Sequence, residues 1–153
     1  MYTRVCVAID GSAAADHALA EALRMSEGST VNILLLSVVD VRVNAAEGVN
    51  FESIYQAWRG DGKKALAAAS ATVRAASIEP EIHLVDTDGN NVAQTIVEEA
   101  ARWRADVIVI GTHGRGGLKR LMLGSAADQV IRSSPIPVLV VRGQDHPSSD
   151  HGL

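Results

Sequence analysis

Asp106-Val-Ile-Val-Ile-Gly111-Thr-His-Gly114-Arg-Gly-Gly-Leu-Lys-Arg-Leu-Met-Leu-Gly124-Ser125 is the stretch from which this chain is read. Residues 107–110 are continuously apolar and of strand length, the pattern of a strand buried on both faces of a parallel sheet. Gly111 ends the run, and Gly114, Gly116, Gly117 and Gly124 follow. Glycine lets the backbone take positive φ and come close to a ligand. Ser125 then opens a helical pattern through Ala127, Val130 and Ile131. The order strand, glycine loop, helix start can hold phosphate, because N–H groups at a helix N-terminus lack internal partners and carry partial positive charge. Between Val107 and Ala127 stand three cations, Arg115, Lys119 and Arg120, and no acid. The local field favours an anion.

The same residues have plainer readings. Ser125 with Asp128 three residues on matches a capping box, so Ser125 can serve as a helix cap. Gly111 and Gly114 can be turn residues, and the glycines alone leave turn and phosphate cradle equally open. The stretch is not the G-x-x-x-x-G-K-[ST] of a Walker loop. No G-x-G-x-x-G dinucleotide fingerprint follows the first strand.

Working outward, residues 3–9 form a β-branched run closed by Asp10-Gly11, the first strand. Ser12 is a candidate N-cap, and Ala15, Ala18, Leu19 and Ala22 make one helical face with Gly28 as its C-cap. Residues 31–39 are the second strand, and 40–50 a loop. Leu66, Ala69, Val73 and Ala76 keep helical spacing, while Gly60 and Gly62 predict that this helix begins late or bends. Tyr55 and Trp58 are expected to pack this segment against the body, with a binding role as the lesser reading. Residues 81–85 are a short strand, and 86–90 a turn cluster with Asn90 or Asn91 as N-cap. Ala93, Ile96, Val97 and Ala100 fit another helical face. Residues 138–141 are the fifth strand.

Five strands alternate with four helical patterns, which predicts βαβ units and one parallel sheet. Right-handed crossovers place helices on both faces, a doubly wound, Rossmann-like α/β fold. Ligands of such sheets bind outside the carboxyl ends of strands where the winding reverses. Asp10 and Gly111 both sit at carboxyl ends. With 153 residues, the chain reads as a single domain over 1–142 and a flexible tail over 143–153 rich in Ser, Asp, His and Gly.

Aromatics are 3% of residues, so the core must be built from Val, Ile, Leu and Ala. The net charge of −4 argues against nucleic acid as a bulk electrostatic partner. Cys6, the only cysteine, lies inside an apolar strand and reads as a small buried hydrophobe. No signal peptide or membrane-spanning run is visible, so the expected location is cytoplasmic. His17, His83, His113, His146 and His151 show no metal-ligand spacing.

Asp10 can cap the following turn, or its carboxylate can accept hydrogen bonds from ribose hydroxyls or an adenine amine. His113, inside the glycine loop, is either solvated or a contact to phosphate, mostly through its backbone. Three function classes compete. One is a nucleotide-binding regulatory module. Another is a slow ATP hydrolase, for which no nucleophile–base pair is evident near the loop. The third is a phosphoacceptor receiver domain using Asp10, Asp86 and Thr112. It is disfavoured, because Arg142 stands where such a domain needs a lysine, and the loop would be without use.

Gly111, Gly114, Gly124 and Ser125 stand in the pattern Gly, two residues, Gly, nine residues, Gly, then Ser or Thr. This resembles the nucleotide-binding members of the universal stress protein family, and the likeness extends through residues 5–12 and 135–142. The resemblance implies the strand order 3-2-1-4-5 and an ATP site, with Mg or Mn arriving on the triphosphate. It implies that Ala8, Ile9 and Asp10 line one wall and that Val38 faces the base. It adds Ile110, Ala126 and Ala127 to the site, with Arg115 as the side-chain cation at the phosphates. It also implies a regulated protein partner and a homodimer through the fifth strand. That strand would be a sheet edge without charge on residues 138–141.

Overall fold

The computed structural model describes residues 1–41, 50–112 and 123–143. The elements alternate strictly: β1 Arg4–Ala8, α1 Ala13–Met25, β2 Asn32–Val39, α2 Phe51–Ala75, β3 Glu81–Asp86, α3 Val92–Arg102, β4 Val107–Gly111, α4 Ser125–Ser133 and β5 Val138–Val141. All five strands pair in parallel in the order β3-β2-β1-β4-β5. Val7 lies at the middle of the sheet, level with Leu35 of β2 and Val109 of β4.

Strand side chains alternate between two cores. Val5, Val7, Ile33, Leu35, Val107 and Val109 pack beneath α1 and α2, against Ala18, Leu19, Leu66 and Val73. Cys6, Leu34, Leu36, Ile108 and Ile110 face the other way, onto Ala93, Ile96, Ala100, Ala127 and Val130. Burial on both faces is why β1, β2 and β4 read as continuous apolar runs. Trp103 is the one aromatic among the buried residues of either core. The Cys6 thiol is fully buried, and desolvation pushes its pKa up to about 12, so it stays protonated and inert.

Three expectations about helices need correction. Helix α1 is capped at its start by Ser12 as expected, but its C-cap is Ser26, and Gly28 follows two residues later at φ +74°. Helix α2 neither starts late nor breaks: it runs 25 residues through both glycines. A Cβ at Gly60 would meet nothing within 4 Å, whereas one at Gly62 would come within 2.8 Å of Leu84 Cδ1 and 3.3 Å of Ser37 Oγ. Gly62 therefore lets α2 lie close on β2 and β3. Each glycine costs the helix about 1 kcal/mol, which the alanine-rich half beyond them tolerates. The third correction concerns Ser125, which occupies the first helical position of α4; Gly124 is the N-cap. The expected capping box is not formed, and Asp128 instead pairs with Arg132 at 3.0 Å. Asn91, in contrast, forms a full capping box with Gln94 at the start of α3.

The amino-terminal edge of the sheet is stapled by Asp106, whose carboxylate accepts from the backbone N–H of Thr3 at 2.9 Å and of Arg4 at 3.1 Å. The Arg4 guanidinium sits 4.0 Å over the Trp103 ring and donates through Nε to the Trp103 carbonyl at 3.1 Å.

At the opposite edge, Tyr55 ties the first turns of α2 to β3. Its hydroxyl donates to Asp86 Oδ2 at 2.6 Å, with Arg59 3.6 Å from Asp86 Oδ1. The hydrogen bond to Asp86 first, then burial and the same negative charge, hold the phenol above its ordinary pKa. Tyr55→Phe should therefore melt below the wild type at neutral pH. A raised folded pKa stabilises at pH values below the unfolded one, and that benefit fades as pH climbs through the folded value. The gap between the two proteins should shrink above the ordinary tyrosine pKa of 10. A gap constant through the alkaline range would reject this account.

Candidate functional site

Helices α1 and α2 cover one face of the sheet, and α3 and α4 the other. The winding reverses between β1 and β4, and a cleft of about 230 Å³ opens at their carboxyl ends. That is just under the roughly 300–1,000 Å³ of small-molecule pockets. Ala8, Ile9 and Asp10 line it from β1 and the turn after it, and Val38 from β2. Ile110 and Gly111 line it from β4, and Gly124, Ser125, Ala126 and Ala127 from the start of α4. His113, Gly114 and Arg115 lie outside the described residues.

Asp10 is held by local chemistry. Its Oδ1 accepts from the Ser12 N–H at 2.9 Å and from the Ser12 hydroxyl at 2.5 Å. Gly11 supplies the positive φ, 81°, that the turn requires. The Ser12 oxygen also accepts from the Ala15 N–H at 3.2 Å, so one hydroxyl caps α1 and orients the carboxylate.

Gly111 has a packing role besides its place on the cleft. A Cβ there would lie 2.6 Å from the Ala14 carbonyl carbon and 2.7 Å from its oxygen. The glycine is needed because α1 starts directly against the end of β4. Just beyond it, the Thr112 N–H donates to the Val141 carbonyl at 3.0 Å, while the Thr112 carbonyl accepts from the Gly124 N–H. This last bond brings the start of α4 back to the end of β4.

The N-terminus of α4 differs from the other three. Ser12, Asn50 and Asn91 each cap a helix by accepting a backbone N–H. Gly124 has no side chain to do so, and among the described residues α4 begins without a side-chain cap. The N–H groups of its first turn border the cleft, a setting that suits an anion.

The other end of the cleft is aliphatic. Leu36, Val92 and Ile96 complete it together with Val38 and Ile110. These three, with Ser12 and Ala15, were not singled out as site residues from sequence, and Thr112 was named only under the receiver reading. Leu36 shares a strand face with Val38, and Val92 and Ile96 share a helix face, so periodicity carries the signal once one member is placed. Tyr55 and Trp58 do not line the cleft. Nor does Asp86, which removes one of the three residues the receiver reading required. Asp10 is the only acid among the described lining residues. Among the described residues no group of three His, Cys, Asp or Glu side chains could hold a metal ion. No described helix is long and apolar enough to cross a membrane.

The fold and cleft together define a doubly wound α/β protein with an amphiphilic pocket at its switch point. The sequence model of the universal stress protein family matches residues 1–142. A universal stress protein of Methanocaldococcus jannaschii is 32% identical over 93% of this chain and 83% of its own length. A universal stress protein of Mycobacterium tuberculosis is also 32% identical, but this chain spans only 46% of its length. The solved universal stress protein of Archaeoglobus fulgidus in complex with dAMP superposes with a TM-score of 0.65 at 26% identity, covering 92% of this chain and 98% of the other. The chain belongs to the universal stress protein family.

Proposed function

We propose that the chain binds an adenine nucleotide, ATP or a near relative, in this cleft and serves as a nucleotide-dependent regulatory module. The observation that carries the reading is the uncapped start of α4 facing an aliphatic slot across a fixed carboxylate. Such a cleft matches a molecule with a flat apolar base, a hydroxylated sugar and an anionic group. Ala8, Ile9, Val38 and Ile110 would hold the base, and Asp10 would accept from ribose. The first turn of α4, from Gly124 to Ala127, would take the phosphates, with His113, Gly114 and Arg115 completing that end. Magnesium or manganese would enter on phosphate oxygens. The dAMP bound by the Archaeoglobus fulgidus relative supports the ligand class. Turnover should be slow, because efficient phosphoryl transfer to water requires an oriented nucleophile as well as charge neutralisation.

The test uses Ala126→Glu. Ala126 lines the cleft at the second position of α4. A glutamate there would place negative charge where the phosphate belongs, yet favour the helix N-terminus by about 0.3–1 kcal/mol. Calorimetry should show ATP and AMP binding to the wild type and none to the variant, with a melting temperature equal or higher. Wild-type protein giving no heat and no thermal shift with millimolar ATP or AMP rejects the proposal.

A homodimer through β5 accompanies this reading. The two sheet edges differ: β3 carries Glu81, His83 and Asp86, which guard it, whereas β5 is Val-Leu-Val-Val, half-buried along its length. Pairing of two β5 strands about a two-fold axis would satisfy both edges.

A further inference from the structure

Thr112 carries a contradiction that the fold alone does not resolve. The residue is 8% exposed, and its Oγ1 is buried with no hydrogen-bond partner among the described residues. Buried polar groups are nearly always paired, and one left alone lowers the stability of the protein that contains it. Its backbone is fully engaged, with the N–H on Val141 and the carbonyl on Gly124, so the main chain cannot move to relieve the side chain. Thr112 also lines the cleft, and the bond from Gly124 sets it beside the uncapped first turn of α4. A hydroxyl can donate one hydrogen bond. The other donors at this end of the cleft are N–H groups without a side-chain cap.

We infer that the Thr112 hydroxyl is a ligand contact, turning about χ1 to donate to a charged, non-bridging oxygen of the phosphate that lies at the start of α4. The inference rests on the proposed nucleotide site and adds a residue to it. Among the described residues the hydroxyl has no partner, and it gains one when the anion enters. Removal should therefore have opposite effects on folding and on binding, whereas a structural hydroxyl would weaken folding when lost.

The probes are AMP, which has the phosphate, and adenosine, which lacks it. Thr112→Val keeps the shape and deletes the hydroxyl. The ligand-free variant should melt at or above the wild-type temperature. Its affinity for AMP should fall about tenfold or more, as for loss of a hydrogen bond to a charged group, with adenosine affinity unchanged. Thr112→Ser should restore AMP binding. A lower melting temperature for ligand-free Thr112→Val would reveal a structural partner and overturn the inference. Equal losses for AMP and adenosine, or no loss for either, would overturn it while leaving the nucleotide site standing. Wild-type protein that binds neither probe would overturn both.

Discussion

Gly111→Ala should lower folding stability by about 3 kcal/mol and abolish any binding in the cleft. The added methyl would sit 2.6–2.8 Å from Ala14, and two of the three atoms it meets are main chain. A side-chain tip could swing away, but the first turn of α1 cannot. Overpacking of this kind costs about 1–3 kcal/mol, and a backbone obstacle puts it at the upper end. Domains of this size are stable by only about 5–15 kcal/mol, so the loss is a large fraction of the whole. It corresponds to a melting temperature lower by about 6–12 °C. The displaced elements, the end of β4 and the start of α1, both line the cleft, so its shape changes as well. Differential scanning calorimetry decides the matter, and an unchanged melting temperature would mean that α1 can shift freely.

Val140→Lys should convert the proposed dimer wholly to monomer. In a two-fold pairing of β5 edges the two lysines would face each other or nearly so, with like charges brought close in a partly dry strip. Val140 is half-buried even in the single chain, where it faces the α3–α4 side. Light scattering at tens of micromolar should give twice the 16.1 kDa chain mass for the wild type and the chain mass for the variant. A wild-type protein already at 16.1 kDa rejects the dimer. A variant that remains dimeric places the interface elsewhere.

The fold was legible because its strands advertise themselves. The apolar runs around Val7, Leu35 and Val109 are short, β-branched and bounded by turn residues, which favours strand over buried helix, and the alternation with helices fixes the class. Helix α2 was not legible. Gly60 and Gly62 look like breakers, and the reason for Gly62 is Leu84 and Ser37, more than 20 residues away on either side. Nothing local encodes that approach.

The cleft shows the same division. The glycine spacing and Asp10 located the right ends of the right strands, since strand ends and turns are read locally. A second reason for Gly111, its contact with Ala14, is not legible locally, because Ala14 comes from the other end of the chain. Ser125 looked like a cap, yet the cap falls on Gly124, a shift of one residue that sequence cannot resolve. Leu36, Val92 and Ile96 were missed because a cavity wall is a property of three elements meeting. No one of them announces it.

The Arg4–Trp103 stack has a practical consequence for optical measurements. The chain has two tryptophans, and Trp103 is held dry under a guanidinium at the edge of the sheet opposite the cleft. Its emission should report loss of the packed interior and stay silent to occupancy of the cleft. In a Trp58→Phe background the remaining fluorophore would thus follow denaturation alone, so a ligand's stabilising effect could be read without a signal from the ligand's own contacts.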